Sequence, residues 1–275
     1  MVCYSDKTPF RTDERQIGLA YGAHFGLAWC MADPITLFHI SDLHFGAEDH
    51  AALAWFAAEV TVQRPDWIIC TGDLTMRGTQ REFAAAAAWL GALAVPVSVE
   101  PGNHDMPYYW EMFSRLRRPF ARFEVLRAAV HRAVDLPDVR LVSLPTVVPA
   151  QARLNWSKGR VTQAALATAV DGLAGFAGLR LVACHHPLVD ADTQGKGSTR
   201  GGKAALKALA AGGADAVLSG HVHDPFDLLH DTGGGPIRLI GAGTLSERLR
   251  VTKPSFNVLT WTAKDSLRVD VRGMG

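Results

Sequence analysis

Five short apolar segments of this chain each end in a cluster of aspartate, asparagine or histidine. The clusters are Asp42-Leu-His44, Gly72-Asp73, Gly102-Asn-His-Asp105, His185-His186 and Gly220-His-Val-His223. Each cluster on its own has a structural explanation, such as a helix cap, a turn or a buried histidine. Together they place metal-binding side chains at the ends of several strands along one edge of a sheet, where α/β proteins build their sites. This repeated pattern restricts the fold more than any other feature of the sequence.

The segments between the clusters alternate between strand and helix patterns. Ile35–Ile40, Trp67–Cys70 and Val95–Val99 are compact apolar runs that predict strands, and 48–64 and 79–90 have helical spacing between them. Three strand-then-helix units in succession predict an α/β sheet. After the last cluster the chain becomes strand-rich, so we expect a sheet that is not purely parallel.

A segment rich in aromatic residues and arginine covers 106–136 and is predicted to be mainly helical. Trp110, Phe113 and Arg115 are among its residues. A basic and aromatic helix can contact a phosphorylated substrate or nucleic acid. We favour the simpler interpretation, in which the aromatic face packs inward and the arginines point to solvent.

Charge and cysteine content exclude several classes of protein. There are 28 basic and 27 acidic residues, a formal net charge of +1, so no overall field attracts nucleic acid or anionic lipid. The four cysteines form no C-x-x-C pair and predict neither a disulfide framework nor a zinc knuckle, which fits a cytoplasmic location. No segment suggests a membrane span, and we expect no extensive nucleic-acid surface.

The domain boundaries follow from where the confident strand pattern begins. We expect 1–33 to be an N-terminal extension, disordered or untranslated, because Met31 directly precedes that pattern. The remainder, 34–275, is predicted to be a single domain with a helical insert at 106–136.

The last cluster shows why metal binding is the first hypothesis. Residues i and i+2 of an extended segment project to the same side, so His221 and His223 can reach a common centre. Neutral imidazole is a frequent metal ligand. An isolated His-x-His pair is common in loops, so the prediction depends on further ligands from the other clusters.

In order and spacing, the five clusters resemble the calcineurin-like metallophosphoesterase family, whose pattern is D-x-H, G-D, G-N-H-D/E, H and G-H-x-H. The resemblance implies an α/β fold of two packed mixed β-sheets flanked by helices, a four-layer sandwich with the metals at the sheet edge. It implies two metal ions held by seven residues: Asp42, His44, Asp73 and His223 for one, and Asp73, Asn103, His185 and His221 for the other. Carboxylate, amide oxygen and imidazole together suit Fe, Mn or Zn.

The same resemblance implies a mechanism. A hydroxide bridging the two metals attacks phosphorus in line, and His104 steadies the transition state and protonates the leaving oxygen. We expect Asp105 to orient His104 from behind. The pattern favours His185 over His186 as a ligand, which leaves His186 near the substrate or behind the ligands.

The substrate is predicted less directly. The His-His-Pro element and Ser-Gly-His-Val-His resemble bacterial class III cyclic-nucleotide phosphodiesterases or glycerophosphodiesterase-like relatives. We therefore expect hydrolysis of a small phosphodiester, with cyclic nucleotides as first candidates and with 106–136 and 190–202 setting specificity. A phosphomonoesterase or nuclease of the same family, or a non-catalytic scaffold, are the alternatives, and the oligomeric state stays open.

Overall fold

The computed structural model of this chain describes residues 33–151, 157–195, 197–263 and 267–275, apart from the side chain of Tyr109. The predicted N-terminal extension therefore lies outside the described residues, except for its last position. The strands are β1 Ile35–Ile40, β2 Trp67–Cys70, β3 Val97–Val99, β4 Val139–Ser143, β5 Leu179–Ala183, β6 Ala216–Ser219, β7 Phe226–Asp231, β8 Pro236–Gly241, β9 Ser255–Trp261 and β10 Arg268–Gly273. The helices are α1 His50–Gln63, α2 Gln80–Ala92, α3 Met112–Arg117, α4 Ala121–Val130, α5 Gln163–Leu173 and α6 Gly202–Ala211.

The strands form two mixed five-stranded sheets. The first has the order β10-β9-β1-β2-β3 and the second the order β4-β5-β6-β8-β7. Strands β1, β2 and β3 are mutually parallel, as are β4, β5, β6 and β8, while β9, β10 and β7 pair in antiparallel fashion. The predicted pair of mixed sheets is confirmed.

Side chains alternate between two faces along each strand, and both faces are covered. In β2, Ile69 points between the sheets, where it packs with Leu181 and Leu218 of the second sheet. Its neighbour Ile68 points outward and packs with Phe56 of α1. Since both faces of a strand are buried, its sequence is continuously apolar rather than alternating. Helices α1, α2 and α4 cover one outer face and α5 and α6 the other, which gives the four layers.

The first two helices begin at capping residues in their sequences. The Asp49 carboxylate accepts the amide hydrogens of Ala51 and Ala52, which caps α1. A reciprocal pair of bonds between Thr79 and Glu82 caps α2. These caps fix where each chain segment leaves the sheet edge and enters its helix, and therefore shape the loops that carry the polar clusters.

The aromatic segment differs from its prediction. Trp110 and Phe113 are 65% and 72% exposed, whereas Arg115 of the short helix α3 is only 4% exposed. The packed aromatic face with solvated arginines is therefore wrong for α3. The reason is that the Arg115 guanidinium finds acceptors inside, donating to the carbonyl oxygens of Pro107 at 2.9 Å and Pro149 at 3.2 Å. An inward arginine turns the opposite, aromatic side of this helix outward.

Within the described ranges, no helix combines the length and the apolar character needed to cross a membrane.

Candidate metal centre

The polar clusters meet where the carboxyl ends of the two sheets come together. Those that follow β1, β2 and β3 come from the first sheet, and those that follow β5 and β6 come from the second. The hydrogen bonds that join the sheets at this edge include His185 Nδ1 to the Thr71 carbonyl at 2.8 Å and the His221 amide to Asp42 Oδ2 at 2.8 Å. The structure therefore brings together side chains that lie up to 181 positions apart in the chain, from residue 42 to residue 223.

One half of the centre contains Asp42, His44 and His223. Their ligand atoms all lie within 4.8 Å of one another. The Nε2 atoms of His44 and His223 are 3.1 Å apart, and Asp42 Oδ1 lies 3.2 Å from the His223 Nε2 and 3.6 Å from the His44 Nε2. All three side chains are buried. These are three of the four residues expected in the first donor set, and the fourth is Asp73.

The other half is formed around His185. Its Nε2 lies 3.2 Å from Asn103 Oδ1 and 3.3 Å from Asp73 Oδ2. The ring of His221 stands edge-on to that of His185, with centroids 5.2 Å apart. The same Asp73 Oδ2 lies 3.8 Å from the His44 Nε2, so this carboxylate faces both halves.

Hydrogen bonds define the tautomers of three of these histidines. The Nδ1 atoms of His44, His185 and His223 face the backbone carbonyls of Thr75, Thr71 and Arg248 at 3.3, 2.8 and 2.5 Å. A carbonyl can only accept, so each Nδ1 carries a proton, and the neutral form of each ring would direct the lone pair of Nε2 into the centre. Backbone carbonyls that hold the outer nitrogen in this way are usual behind metal-ligating histidines.

The half of the centre that contains Asp42, His44 and His223 fits a cation. Two imidazole lone pairs that face each other at 3.1 Å repel unless a cation or a proton lies between them. Asp42 Oδ1 is also buried without a hydrogen-bond partner in the described part of the chain, which is costly for a carboxylate oxygen. A metal ion among these atoms would satisfy all of them at once.

The electrostatics of the centre favour cations. Burial opposes ionisation of Asp42, but the imidazoles of His223 and His44 hold its pKa well below the usual range. Burial likewise disfavours protonation of His185, and the Asp73 carboxylate overcomes this and raises the pKa of His185 to about 9. The buried carboxylates of Asp42 and Asp73 therefore favour positively charged groups in the centre.

Several residues at this edge have a left-handed backbone conformation, which costs free energy for residues other than glycine. Seven non-glycine residues in the described ranges have positive φ, and five of them belong to the predicted ligand set: Asp42, His44, Asp73, His221 and His223. Such residues persist where the surrounding structure enforces them, and they concentrate at functional sites. Glycine is required beside them: a Cβ on Gly102 would lie 2.1 Å from Asp73 Oδ1, and one on Gly220 would lie 1.8 Å from the hydroxyl oxygen of Ser41.

Comparison with known families agrees with this geometry. The family model described as calcineurin-like phosphoesterase matches residues 35–225, which is most of the chain and contains all five clusters. The chain belongs to the calcineurin-like phosphoesterase family. This confirms the predicted family and, with it, the predicted class of protein, a metallophosphoesterase.

The chain is also similar to individual proteins, either in sequence over part of their length or in fold. It is 36% identical over 82 residues to a glycerophosphodiester phosphodiesterase from Enterobacter lignolyticus, a match that covers 26% of this chain and 30% of that protein. The chain therefore matches less than a third of the length of that curated relative. Among solved structures, a dimetal phosphatase from Danio rerio superposes with a TM-score of 0.65 at 16% identity over 88% of this chain and 97% of the other. GAP50, the anchor in the inner membrane complex of Plasmodium, superposes with a TM-score of 0.60 at 11% identity over 87% and 84%.

Both adjacent histidines have a ring nitrogen within 4.8 Å of a ring nitrogen of His221, but the ring nitrogens of His186 are taken by other hydrogen bonds. His186 uses both of its ring nitrogens elsewhere: Nδ1 meets the Thr146 hydroxyl at 2.9 Å, and Nε2 meets the Ser157 carbonyl at 2.8 Å. Its contacts tie β5 to the loop that carries Ser157 and leave no lone pair for a metal. The geometry thus supports His185 as the ligand, as the family pattern suggested.

Replacing each of these two histidines separately should have different effects. We expect His185→Ala to lower the bound metal from about two ions per chain to about one, since it removes an inward lone pair. We expect His186→Ala to keep its metal content but to lose two buried hydrogen bonds, which lowers the melting temperature by several degrees. Elemental analysis and thermal melting measure the two effects. Loss of metal from the His186 variant alone would reverse the assignment.

The contacts of Asp105 differ from those expected of a residue that orients the His104 ring directly. Its carboxylate accepts the amide hydrogens of Leu74, Thr75 and Gly102 and the Thr75 hydroxyl, at 2.8 to 3.1 Å, and it makes no hydrogen bond to the His104 ring. Burial, together with the nearby Asp73 carboxylate, raises the pKa of Asp105 to about 7. Asp105 therefore fastens the loop after β3 to the loop after β2. His104 and Asp105 are adjacent in sequence, but they lie in the short 3-10 turn Asn103–Asp105, where their side chains make different contacts.

His104 is held instead by two groups that the sequence analysis did not identify. Its Nδ1 faces the Met76 carbonyl at 2.7 Å, and its Nε2 lies 3.1 Å from an Nη1 of Arg248. The Arg248 carbonyl is also the acceptor for His223, so one residue supports both histidines. Arg248 lies 25 positions beyond His223, in a loop whose sequence matches no cluster of the pattern.

A polar cavity of about 250 Å³ opens over the centre. Its walls include the ligand candidates Asp73, Asn103, His221 and His223 together with His104, and three cationic residues, Lys158, Arg248 and Arg250. The cations are supplied by two separate loops. Their positive charge over a metal centre creates a site for an anion.

Proposed function

We propose that this chain is a binuclear metallophosphodiesterase. The observation that carries the proposal is the position of Asp73, whose Oδ2 lies between the two donor sets, 3.8 Å from the His44 Nε2 and 3.3 Å from the His185 Nε2. A carboxylate shared in this way is a compact means of holding two cations about 3.5–4 Å apart, the spacing used for in-line displacement at phosphorus.

The ligand assignment is part of the proposal. Asp42, His44, Asp73 and His223 would hold one ion, and Asp73, Asn103, His185 and His221 the other. The mixture of carboxylate, amide oxygen and imidazole favours Fe, Mn or Zn. When bound, such ions lower the pKa of a coordinated water and withdraw charge from phosphoryl oxygens.

The protein's own residues would do the remaining work. Lys158, Arg248 and Arg250, which line the cavity, attract and orient the phosphoryl anion. Guanidinium groups suit this task because they match phosphate oxygens geometrically and stay charged. His104 lies at the edge of the cavity, within reach of the oxygen that leaves phosphorus.

The proposed substrate is a small phosphodiester, with cyclic nucleotides and glycerophosphodiesters as the compounds to test first. The name of the Enterobacter relative supports a diester, and the limited cavity volume supports a small molecule. The second candidate is a phosphomonoester. The name of the Danio rerio structure, a dimetal phosphatase, and three cations around one cavity, which suit a dianion, favour this alternative.

A substrate panel separates the two candidates. After reconstitution with Fe, Mn or Zn, we expect the protein to turn over bis(4-nitrophenyl) phosphate with a kcat/KM at least about 10-fold above that for 4-nitrophenyl phosphate, a difference that corresponds to roughly 1.4 kcal/mol. The same panel includes cyclic nucleotides and glycerophosphodiesters. A preference for the monoester would replace the proposed diesterase activity with a monoesterase activity. If the protein holds two metal ions and hydrolyses none of the compounds, a non-catalytic scaffold would be favoured.

A further inference from the structure

A second cavity of about 170 Å³ adjoins the first. The two share Asn103, His104 and Ser157 in their walls. Beyond these, the second cavity is lined by Met106, Tyr108 and Arg115, all from the segment that follows the third cluster. It contains no side chain from the predicted ligand set other than Asn103 among the described residues.

We propose that this second cavity binds the leaving group of the substrate, and that Arg115 selects leaving groups that carry negative charge. The inference rests on the proposed function, because it deepens the description of the same site.

The order of the residues around the two cavities supports the assignment. In an in-line displacement the nucleophile and the leaving oxygen are on opposite sides of phosphorus. In the proposed function the nucleophile would come from the side of the metal-ligand candidates, so the leaving group would point away from them. His104 stands at the border between the metal cavity and the second cavity, and a group that protonates the leaving oxygen has to stand at this border.

The chemistry of the walls indicates what kind of leaving group fits. Arg115 is 4% exposed, and its Nε and Nη1 are held by the carbonyls of Pro149 and Pro107. A guanidinium stays charged in proteins, and one fixed in position loses little entropy when it binds an anion. Met106 and Tyr108, which have largely apolar side chains, also line this cavity. An alcohol with a short organic body and a carboxylate or phosphate group matches this combination.

Two diesters that carry their carboxylate on opposite sides of phosphorus test the proposal. Methyl 3-carboxy-4-nitrophenyl phosphate carries a carboxylate on the leaving group, and 2-carboxyethyl 4-nitrophenyl phosphate carries it on the group that is retained. We expect the wild-type protein to show a kcat/KM about 10- to 100-fold higher for the first, the effect of one hydrogen-bonded charge pair. Equal values, or a preference for the second, would overturn the proposal without any variant.

Variants of Arg115 locate the effect. Arg115→Met should abolish the preference, mainly through KM for the first substrate, and Arg115→Lys should restore part of it. Arg117→Met is the matched control, since Arg117 lies on the same helix, is exposed and lines neither cavity; it should keep the wild-type preference. Thermal melting establishes whether the variants fold. If Arg115→Met does not fold, the comparison of the two diesters with the wild-type protein still tests the proposed subsite.

The experiment also separates this inference from the proposed function. If the wild-type protein with two bound metals hydrolyses neither diester, the proposed function fails. If it hydrolyses both and Arg115→Met leaves their ratio unchanged, the phosphodiesterase assignment stands and the leaving-group subsite is wrong.

Discussion

Asp73→Asn should reduce phosphodiester hydrolysis by at least about 10³-fold. This is more than the 10- to 100-fold loss typical of replacing a residue that hydrogen-bonds to a metal ligand. The Oδ1 of Asp73 accepts the His104 amide hydrogen at 2.8 Å, a bond that the Asn amide oxygen can keep. The other position becomes an NH2 group that points its hydrogens at the His44 and His185 Nε2 atoms, where the proposed bridging role requires negative charge. We expect the metal content to fall from about two ions to one or fewer per chain.

A matched control separates the loss of charge from the backbone effect. Asp73 has φ of 51° and Asp192 has φ of 57°, so Asp→Asn at either position occurs in the same left-handed conformation. Asp192 is exposed and lines neither cavity, and Asp192→Asn should retain both metals and full activity. Elemental analysis and steady-state kinetics on the same preparations measure both effects. Full metal content with unchanged kcat in the Asp73 variant would remove Asp73 from the bridging role.

The sheets could be predicted because their sequence pattern has one physical cause. The apolar runs such as Trp67–Cys70 are continuous since Ile68 and Ile69 point to opposite, equally buried faces. The clusters could be predicted to converge because parallel strands end at one edge. The structure brings the seven expected side chains together, and their roles as ligands stay a prediction until metal is measured.

The residues that sequence could not predict depend on tertiary contacts. Arg248 reaches His104 because its loop is anchored by Asp224, whose carboxylate accepts the amide hydrogens of Val251 and Thr252. No local pattern encodes such an anchor. Arg115 was expected at the surface because arginine is mostly exposed, and only the carbonyls of Pro107 and Pro149 explain why it is buried.

His104→Ala should lower the rate by an amount that depends on the leaving group. The Met76 carbonyl fixes the His104 Nδ1 proton, so Nε2 is the atom that faces the cavity and meets Arg248 at 3.1 Å. In the proposed mechanism a phosphoryl anion would draw the Arg248 guanidinium to itself, and Nε2 would then take a proton from water and pass it to the leaving oxygen. For a diester with an alkoxide leaving group we expect a loss of about 10²–10⁴-fold in kcat, the range for general acid catalysis.

The dependence on the leaving group distinguishes a proton donor from a group that only binds phosphate. 4-Nitrophenolate departs without a proton, so for bis(4-nitrophenyl) phosphate the loss in His104→Ala should be no more than about 10-fold, since protonation contributes only where the leaving group needs it. His50→Ala is the control, because the His50 side chain is 87% exposed at the start of α1 and lies in neither cavity. Equal losses for both substrates would assign His104 to phosphoryl binding together with Arg248. The steepness of the rate against leaving-group basicity therefore measures how much of the catalysis passes through the His104 Nε2.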